Sequence, residues 1–214
     1  MAALGGPDIV TDGLILALDP ANRLSYPGSG ITLYDLSGNN YNFTLQGNAA
    51  YNSEGDGSIY VDGSSDGIQL TGNSALRNSI TLVQWLKTND TVGLMVSGEP
   101  VGSTGGYYVG AYYPGQGFYN GSAGSPTFSI DTAATSNPAT PINYLDNNWH
   151  MWEAKGINFA SWTTTWNFLG YAAGYEIAGY VGMILMYIWS LTASESLQNY
   201  QVLELDMDLK NLYK

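Results

Sequence analysis

Short apolar segments recur along the whole chain, and glycine, proline, asparagine or aspartate closes almost every one. GLILALD (13–19), SIYVDG (58–63), GIQLTG (67–72), SITLVQWLKTND (79–90), GYYVGAYY (106–113), PTFSID (126–131) and NNWHMWEAKG (147–156) all read this way. Runs this short, rich in β-branched and aromatic residues and punctuated by turn formers, are strands joined by hairpins and tight loops. The 27 glycines and 17 tyrosines fit that pattern, and 214 residues suffice for one sizeable core. The expected fold is an all-β antiparallel sandwich.

Two segments refine this picture. In SITLVQWLKTND both alternating faces are apolar, as in a strand covered on both sides. In YVGMILMYIW, strict alternation puts Val181, Met183, Leu185, Tyr187 and Trp189 on one face and Ile184, Met186 and Ile188 on the other. That strand is expected to be central, or to bury its second face against a partner. Only LTASESLQNYQVLELD (191–206) looks helical: Thr192 or Ser194 can cap it, Glu195 sits near its start, and Leu197, Tyr200 and Val202 or Leu203 form a stripe. Beyond it, VLELDMDLK alternates strictly, so a strand or extended arm competes with helix there. The organisation expected is an N-terminal arm (1–12), a sandwich domain (13–202) and a C-terminal tail (203–214).

Charge and composition exclude several functions. The net charge of -12 has the wrong sign for tracking phosphates or anionic lipid, so neither nucleic acid nor a membrane surface is an expected partner. Without cysteine there is no thiol catalysis and no thiolate metal site. The first residues carry neither a basic stretch nor an apolar one of the signal-peptide kind, and the apolar run from Ile177 to Leu191 is too short and too glycine-broken to span a bilayer.

Several segments, in order, resemble the concanavalin A-like or laminin-G-like jelly-roll domains of phage virion structural proteins. They are DIVTDGLILALDPANRLSYPGSG, YDLSGNNYNFTLQG, SIYVDGSSDGIQL, NSITLVQWLK, NNWHMWEAKG and GYVGMILMYIWSLTASESLQNY. Tyr34 replaces the first tryptophan of the family's W-x-D-L-S-G-N, and Asp35, Leu36, Ser37, Gly38 and Asn39 match it. The D-G-x-x-D-type element, which marks a hairpin in that family, falls on Asp62, Gly63, Asp66 and Gly67. Between Trp162 and Gly179 the family's Y-V-D-G hairpin is missing, which leaves the strand count there open. The resemblance implies a jelly-roll sandwich with one short C-terminal helix and a non-enzymatic structural role. The protein is expected on the particle exterior, as a capsid decoration or knob-like accessory protein, oligomeric in the assembly and contacting other virion proteins such as the major capsid protein. The alternatives are a carbohydrate-binding adhesin or secreted lectin that takes a host surface glycan, and a glycoside hydrolase of the same superfamily.

Individual residues carry those alternatives. Gly63 to Gly67 fits the G-x-S-x-G nucleophile elbow, but a strand rather than a helix follows it, so a turn is expected. His150, the single histidine, reads as structural. Glu204, Asp206 and Asp208 could imitate a glycosidase carboxylate pair and read better as a solvated acidic face. Asp62 and Asp66, with Glu54 and Asp56 nearby, could rim a calcium ion, although hydrogen-bonded Asx turns explain them as well and no resident cofactor is expected. Tyr107, Tyr112, Tyr113 and Tyr119 lie in an aromatic run that could stack sugars or meet a partner. The glycosylation patterns at Asn42, Asn89 and Asn120 read as chance matches.

Overall fold

The computed structural model describes residues 8–53, 57–98, 107–112, 118–121, 123–135, 144–162, 164–169 and 176–211. Their strands form two antiparallel sheets. The first carries, in spatial order, β12 (Ala133–Thr135), β11 (Thr127–Ile130), β13 (Trp149–Lys155), β7 (Thr81–Thr88), β15 (Ala178–Tyr187), β5 (Ser58–Asp62) and β4 (Ala50–Asn52). An eighth strand, β1 (Leu14–Leu18), pairs with Ile184 to Tyr187 of β15, while β5 pairs with its other half, Ala178 to Val181. The second sheet runs β10 (Tyr119–Gly121), β9 (Tyr108–Ala111), β8 (Val96–Ser97), β14 (Trp166–Phe168), β6 (Gly67–Leu70), β3 (Phe43–Gln46) and β2 (Thr32–Leu33). One helix, α1 (Ala193–Asn211), follows the last strand.

Between the sheets lies the main core. Leu16, Leu18, Ile59, Val61, Leu82, Leu86, Trp152 and Ile184 enter from the first sheet; Leu33, Phe43, Ile68, Val96, Val109, Trp166 and Phe168 enter from the second. Each such side chain, fully removed from water, contributes about 1.5–3 kcal/mol, which is how a chain with so few charges holds together. Gln84 is buried in the same layer, where its Nε2 donates to the Met95 carbonyl at 3.0 Å.

β7 is covered on both faces, as its sequence implies: Leu82 and Leu86 face the core, and Val83 and Trp85 belong to a second cluster on the sheet's outer side. β15 is central, but its alternation breaks. An irregularity in its register against β7 between Val181 and Ile184 switches the parity. Val181 therefore joins Ile184 and Met186 in the core, while Met183, Leu185 and Tyr187 face outward. A period-2 reading cannot see the extra residue, so it placed Val181 on the wrong face.

The element expected as a hairpin at Asp62 to Gly67 is a corner. β5 belongs to the first sheet and β6 to the second, so the chain crosses from one to the other through Gly63 and Ser65, both at positive φ. β14 is the strand between Trp162 and Gly179 among the described residues.

The DLSGN stretch proves to be a structural clamp. Asp35 is buried, and its carboxylate accepts from the backbone N–H of Ala17 (3.0 Å), Ser37 (2.9 Å) and Tyr41 (3.1 Å) and from the Ser37 hydroxyl (2.8 Å). Asn39 Nδ2 adds a bond to the Ile15 carbonyl at 3.1 Å. One carboxylate thus ties the loop to β1, which explains why an acid followed by small polar residues is needed there.

Candidate binding face

The apolar outer face of β15, expected to dock on a neighbour, is covered by the chain itself. Helix α1 lies over the first sheet, burying Leu203 and packing Tyr200 against Trp85 at 6.3 Å between ring centroids. The helix starts with a capping box: Glu195 N–H donates to Thr192 Oγ1 at 3.3 Å, and Thr192 N–H donates to Glu195 Oε2 at 2.7 Å. The backbone and side-chain bonds from Thr192 hold the Glu195 carboxyl below its usual value. Of the expected helical stripe, Leu203 is buried and Tyr200 packs beside it but Leu197 is exposed; Ser196 and Asn199 join the buried line.

Two buried polar clusters fix this cover. Glu153, fully buried on β13, accepts from the hydroxyls of Ser129 (2.9 Å) and Ser196 (2.7 Å) and pairs with Lys155 Nζ at 3.2 Å. Asn199 accepts from the Val10 N–H at 2.9 Å and donates to the Tyr187 hydroxyl at 3.1 Å, and that hydroxyl donates to the Val10 carbonyl at 3.0 Å. Burial pushes the Tyr187 phenol well above its ordinary value. Residues 8–10 of the expected arm are therefore held against the fold: Val10 is buried and the Asp8 carbonyl accepts from Gln198 Nε2 at 2.6 Å. The segment 203–211 continues the helix, so its alternation makes no strand.

The residues singled out as candidates separate widely. Tyr112 is a core residue, 0% exposed, with its ring 5.5 Å from Trp152 and 6.2 Å from Phe118. Desolvation drives its hydroxyl far above the ordinary phenol value, so it offers no surface for a partner or a sugar. Tyr107 is half-buried with its ring edge-on to Trp162 at 6.4 Å. Tyr119 lies on β10, and its side chain and all of Tyr113 fall outside the described residues.

Asp62 and Asp66 both serve the sheet-crossing corner. Asp66, buried, accepts from the N–H of Asn48 at 2.6 Å and of Asp62 at 2.8 Å; Asp62 accepts from Ser64 N–H at 2.9 Å and Asn48 Nδ2 at 3.2 Å. Desolvation raises the Asp66 carboxyl, and the Asn48 side chain leads in lowering Asp62. An Asx turn to Ser64 accounts for Asp62 and backbone bonds to Asn48 and Asp62 account for Asp66, while Glu54 and Asp56 lie outside the described residues. Among the described residues no three His, Asp or Glu side chains converge as metal ligands, and no helix is long and apolar enough to cross a membrane.

His150 sits between two carboxylates, Nδ1 on Asp131 and Nε2 on Asp146 at 3.1 Å. Desolvation opposes protonation there, but the two aspartates outweigh it and the imidazole is raised above 6.5. Asp131 also accepts from the Met151 N–H at 2.9 Å, so the cluster clamps a turn to β13. Glu204 lies on α1 and accepts from Tyr200 at 3.2 Å. Asp206 and Asp208 fall on the same helix, whereas a glucanase motif is carried on a strand; their side chains lie outside the described residues.

The second sheet is the opposite of the first. Its core-facing row runs Val109, Val96, Phe168, Ile68, Leu45. The alternating row on the outer face is polar throughout: Thr32 pairs with Thr44, Thr44 with Gln69, Gln69 with Asn167, Asn167 with Ser97, and Ser97 with Tyr108. These six residues on six strands extend over about 24 Å, at the usual interstrand spacing. Thr44, Gln69 and Tyr108 are half-buried, whereas Asn167 and Ser97 are 0% and 2% exposed. Among the described residues the side-chain heteroatoms of Asn167 and the Ser97 hydroxyl have no hydrogen-bond partner, as is also true of the indole N–H of Trp85 and Trp149 on the outer side of the first sheet. The sequence reading missed this row because its residues are scattered over the chain and only the register brings them together.

Comparison with protein-family models and with curated proteins gives no match. Solved structures similar in fold are β-sandwich domains. One is domain 4 of AbnA, a GH43 extracellular arabinanase from Geobacillus stearothermophilus, in complex with arabinotriose (TM-score 0.53, 14% identity, 88% of this chain and 98% of that one). Another is the receptor-binding domain of the botulinum neurotoxin C/D mosaic serotype (0.56, 15%, 90% and 52%). A third is Trypanosoma rangeli sialidase in complex with sialic acid (0.55, 12%, 96% and 35%). The chain thus spans about a third of the sialidase and about half of the toxin domain. At these identities the likeness establishes an antiparallel β-sandwich of the jelly-roll type.

Proposed function

We propose that this chain is a binding module that recognises carbohydrate without transforming it, displayed on the exterior of a phage particle. The observation that carries the binding reading is the inequality of the two outer faces. The apolar one is filled by α1 and residues 8–10, while the other carries an aligned row of hydroxyl and amide side chains, of which Thr32, Thr44, Gln69 and Tyr108 are half-exposed. Hydroxyl-rich ligands suit such a surface, and the arabinanase domain of the same fold was solved with a bound arabinotriose. The particle location comes from the jelly-roll resemblance of the sequence. A glycan screen of the purified protein, with and without chelator, tests the reading: binding to at least one saccharide is expected, and none under either condition would contradict it. The chelator arm also decides whether calcium takes part.

A decoration role has its own observation. Leu24, Ile31, Tyr34 and Leu36 are 72%, 60%, 44% and 37% exposed, leaving apolar area for another structural protein. Copy number in purified particles, measured by quantitative mass spectrometry, separates the two: parity with the shell protein supports decoration, and a handful of copies supports an adhesin.

A further inference from the structure

Both ring nitrogens of His150 meet carboxylates, Nδ1 on Asp131 Oδ2 and Nε2 at 3.1 Å from Asp146 Oδ1. The two acids come from different places: Asp131 from the turn between β11 and β12, Asp146 from the loop that leads into β13. We infer that the His150 imidazolium is a pH-operated tie that holds the 144–148 loop to the first sheet and releases it when the ring loses its proton. This device is independent of what the protein binds.

Protonation decides the geometry because ionised carboxylates only accept. An imidazolium donates from both nitrogens, whereas a neutral ring keeps one N–H and presents a lone pair on the other nitrogen. The two carboxylates differ in what else holds them. Asp131 is 23% exposed; its carboxylate also accepts from the Met151 N–H at 2.9 Å, and its own N–H donates to the Met151 carbonyl at 2.9 Å. Asp146 is 42% exposed, and its bonds from the N–H and side-chain amide of Asn148 stay within its own loop. The remaining proton therefore stays on Nδ1, facing Asp131, and the bare Nε2 faces the Asp146 carboxylate. Two acceptors then oppose each other where a bond stood. What still fixes the loop is the Asn147 N–H on the Thr88 carbonyl at 3.1 Å and the packing of Tyr144 and Leu145 on the core, the Tyr144 ring edge-on to His150 at 5.2 Å.

Charged groups on the neighbouring elements leave this titration to the two aspartates. On β7, Leu86 stands opposite His150, and Lys87 pairs with Trp149, which packs on the outer side of the sheet. The Lys87 ammonium lies over the Tyr180 ring, 5.6 Å from its centroid. Asp90, past the end of β7, accepts from the Ala178 N–H at 3.0 Å. Burial works against the charged ring, but Asp131 and Asp146 outweigh it and raise the imidazole above 6.5. The tie is thus closed below that pH and opens as pH rises through the folded value.

The test is NMR on the intact chain, D146N and H150Q between about pH 5 and about pH 9. Ring resonances give the His150 titration, and hydrogen exchange, corrected for its intrinsic pH dependence, gives the protection of the Asn147 N–H. In the parent the ring is expected to titrate above 6.5, with Asn147 protection falling severalfold across that titration and β7 and β15 unchanged. D146N is expected to lower the His150 value, and both variants to abolish the fall. A ring that titrates at or below 6.5 would overturn the inference. So would Asn147 protection that ignores the titration, or that falls equally in all three chains. A fall shared by β7 and β15 would mean global destabilisation rather than a released loop, and would overturn it too. D146N alters an exposed side chain, so the test stands even where H150Q does not fold.

Discussion

The outer faces of the two sheets are built on different plans. Over the first sheet the chain spends a nineteen-residue helix, a buried ion pair and an Asn–Tyr–backbone network on closing an apolar surface. Over the second, polar side chains stand in register and two of them keep unpaired atoms in the interior. Apolar area left open invites association, so a fold that covers it with its own C-terminus removes that option. Buried polar atoms without a partner among the described residues occur on both sheets, so what sets the second sheet's outer face apart is its half-exposed Thr32, Thr44, Gln69 and Tyr108.

Substitutions sharpen the contrast. The largest effect is expected from Lys155→Met, which leaves the buried Glu153 with two hydroxyls and no cation. Removing one member of a buried pair costs about 3 kcal/mol or more, read as a drop in the urea midpoint. Asn199→Ala comes next: it strips the Val10 N–H of its acceptor and the Tyr187 oxygen of its donor, for a loss of about 2 kcal/mol. A smaller, pH-dependent effect belongs to His150. Its folded value is raised, so its contribution is fully present below about pH 6.5 and is lost as pH rises through the folded value. Urea midpoints at pH 6 and pH 9 should differ less in His150→Gln than in the parent. On the open face, Gln69→Ala should stay within about 0.5 kcal/mol of the parent, since nothing in the fold depends on it. A large loss there would mean that the polar row is structural and the two faces are alike.

How far the chain could be read from sequence follows the same division. The sandwich was legible because period-2 patterning and turn residues are local, and the Thr192 and Glu195 signature of the helix start is local too. Val181 was misplaced because a bulge is invisible to alternation, and Asp62 to Gly67 was taken for a hairpin because a corner between sheets uses the same turn residues. Tyr112 looked like a surface aromatic because aromatic runs do not declare which ring turns inward. The row through Asn167 and Ser97 was beyond reach, since residues 32, 44, 69, 97, 108 and 167 share nothing but the strand register.

The most direct measurement is NMR chemical-shift mapping of the labelled chain during titration with a neutral oligosaccharide such as arabinotriose. Perturbations concentrated at 43–46, 67–70, 96–97, 108–109 and 166–168 are the predicted result, with the residues of α1 unmoved. Shifts confined to α1 or to the exposed loop at 24–36, with the polar row silent, would contradict the assignment of the second sheet as the binding face.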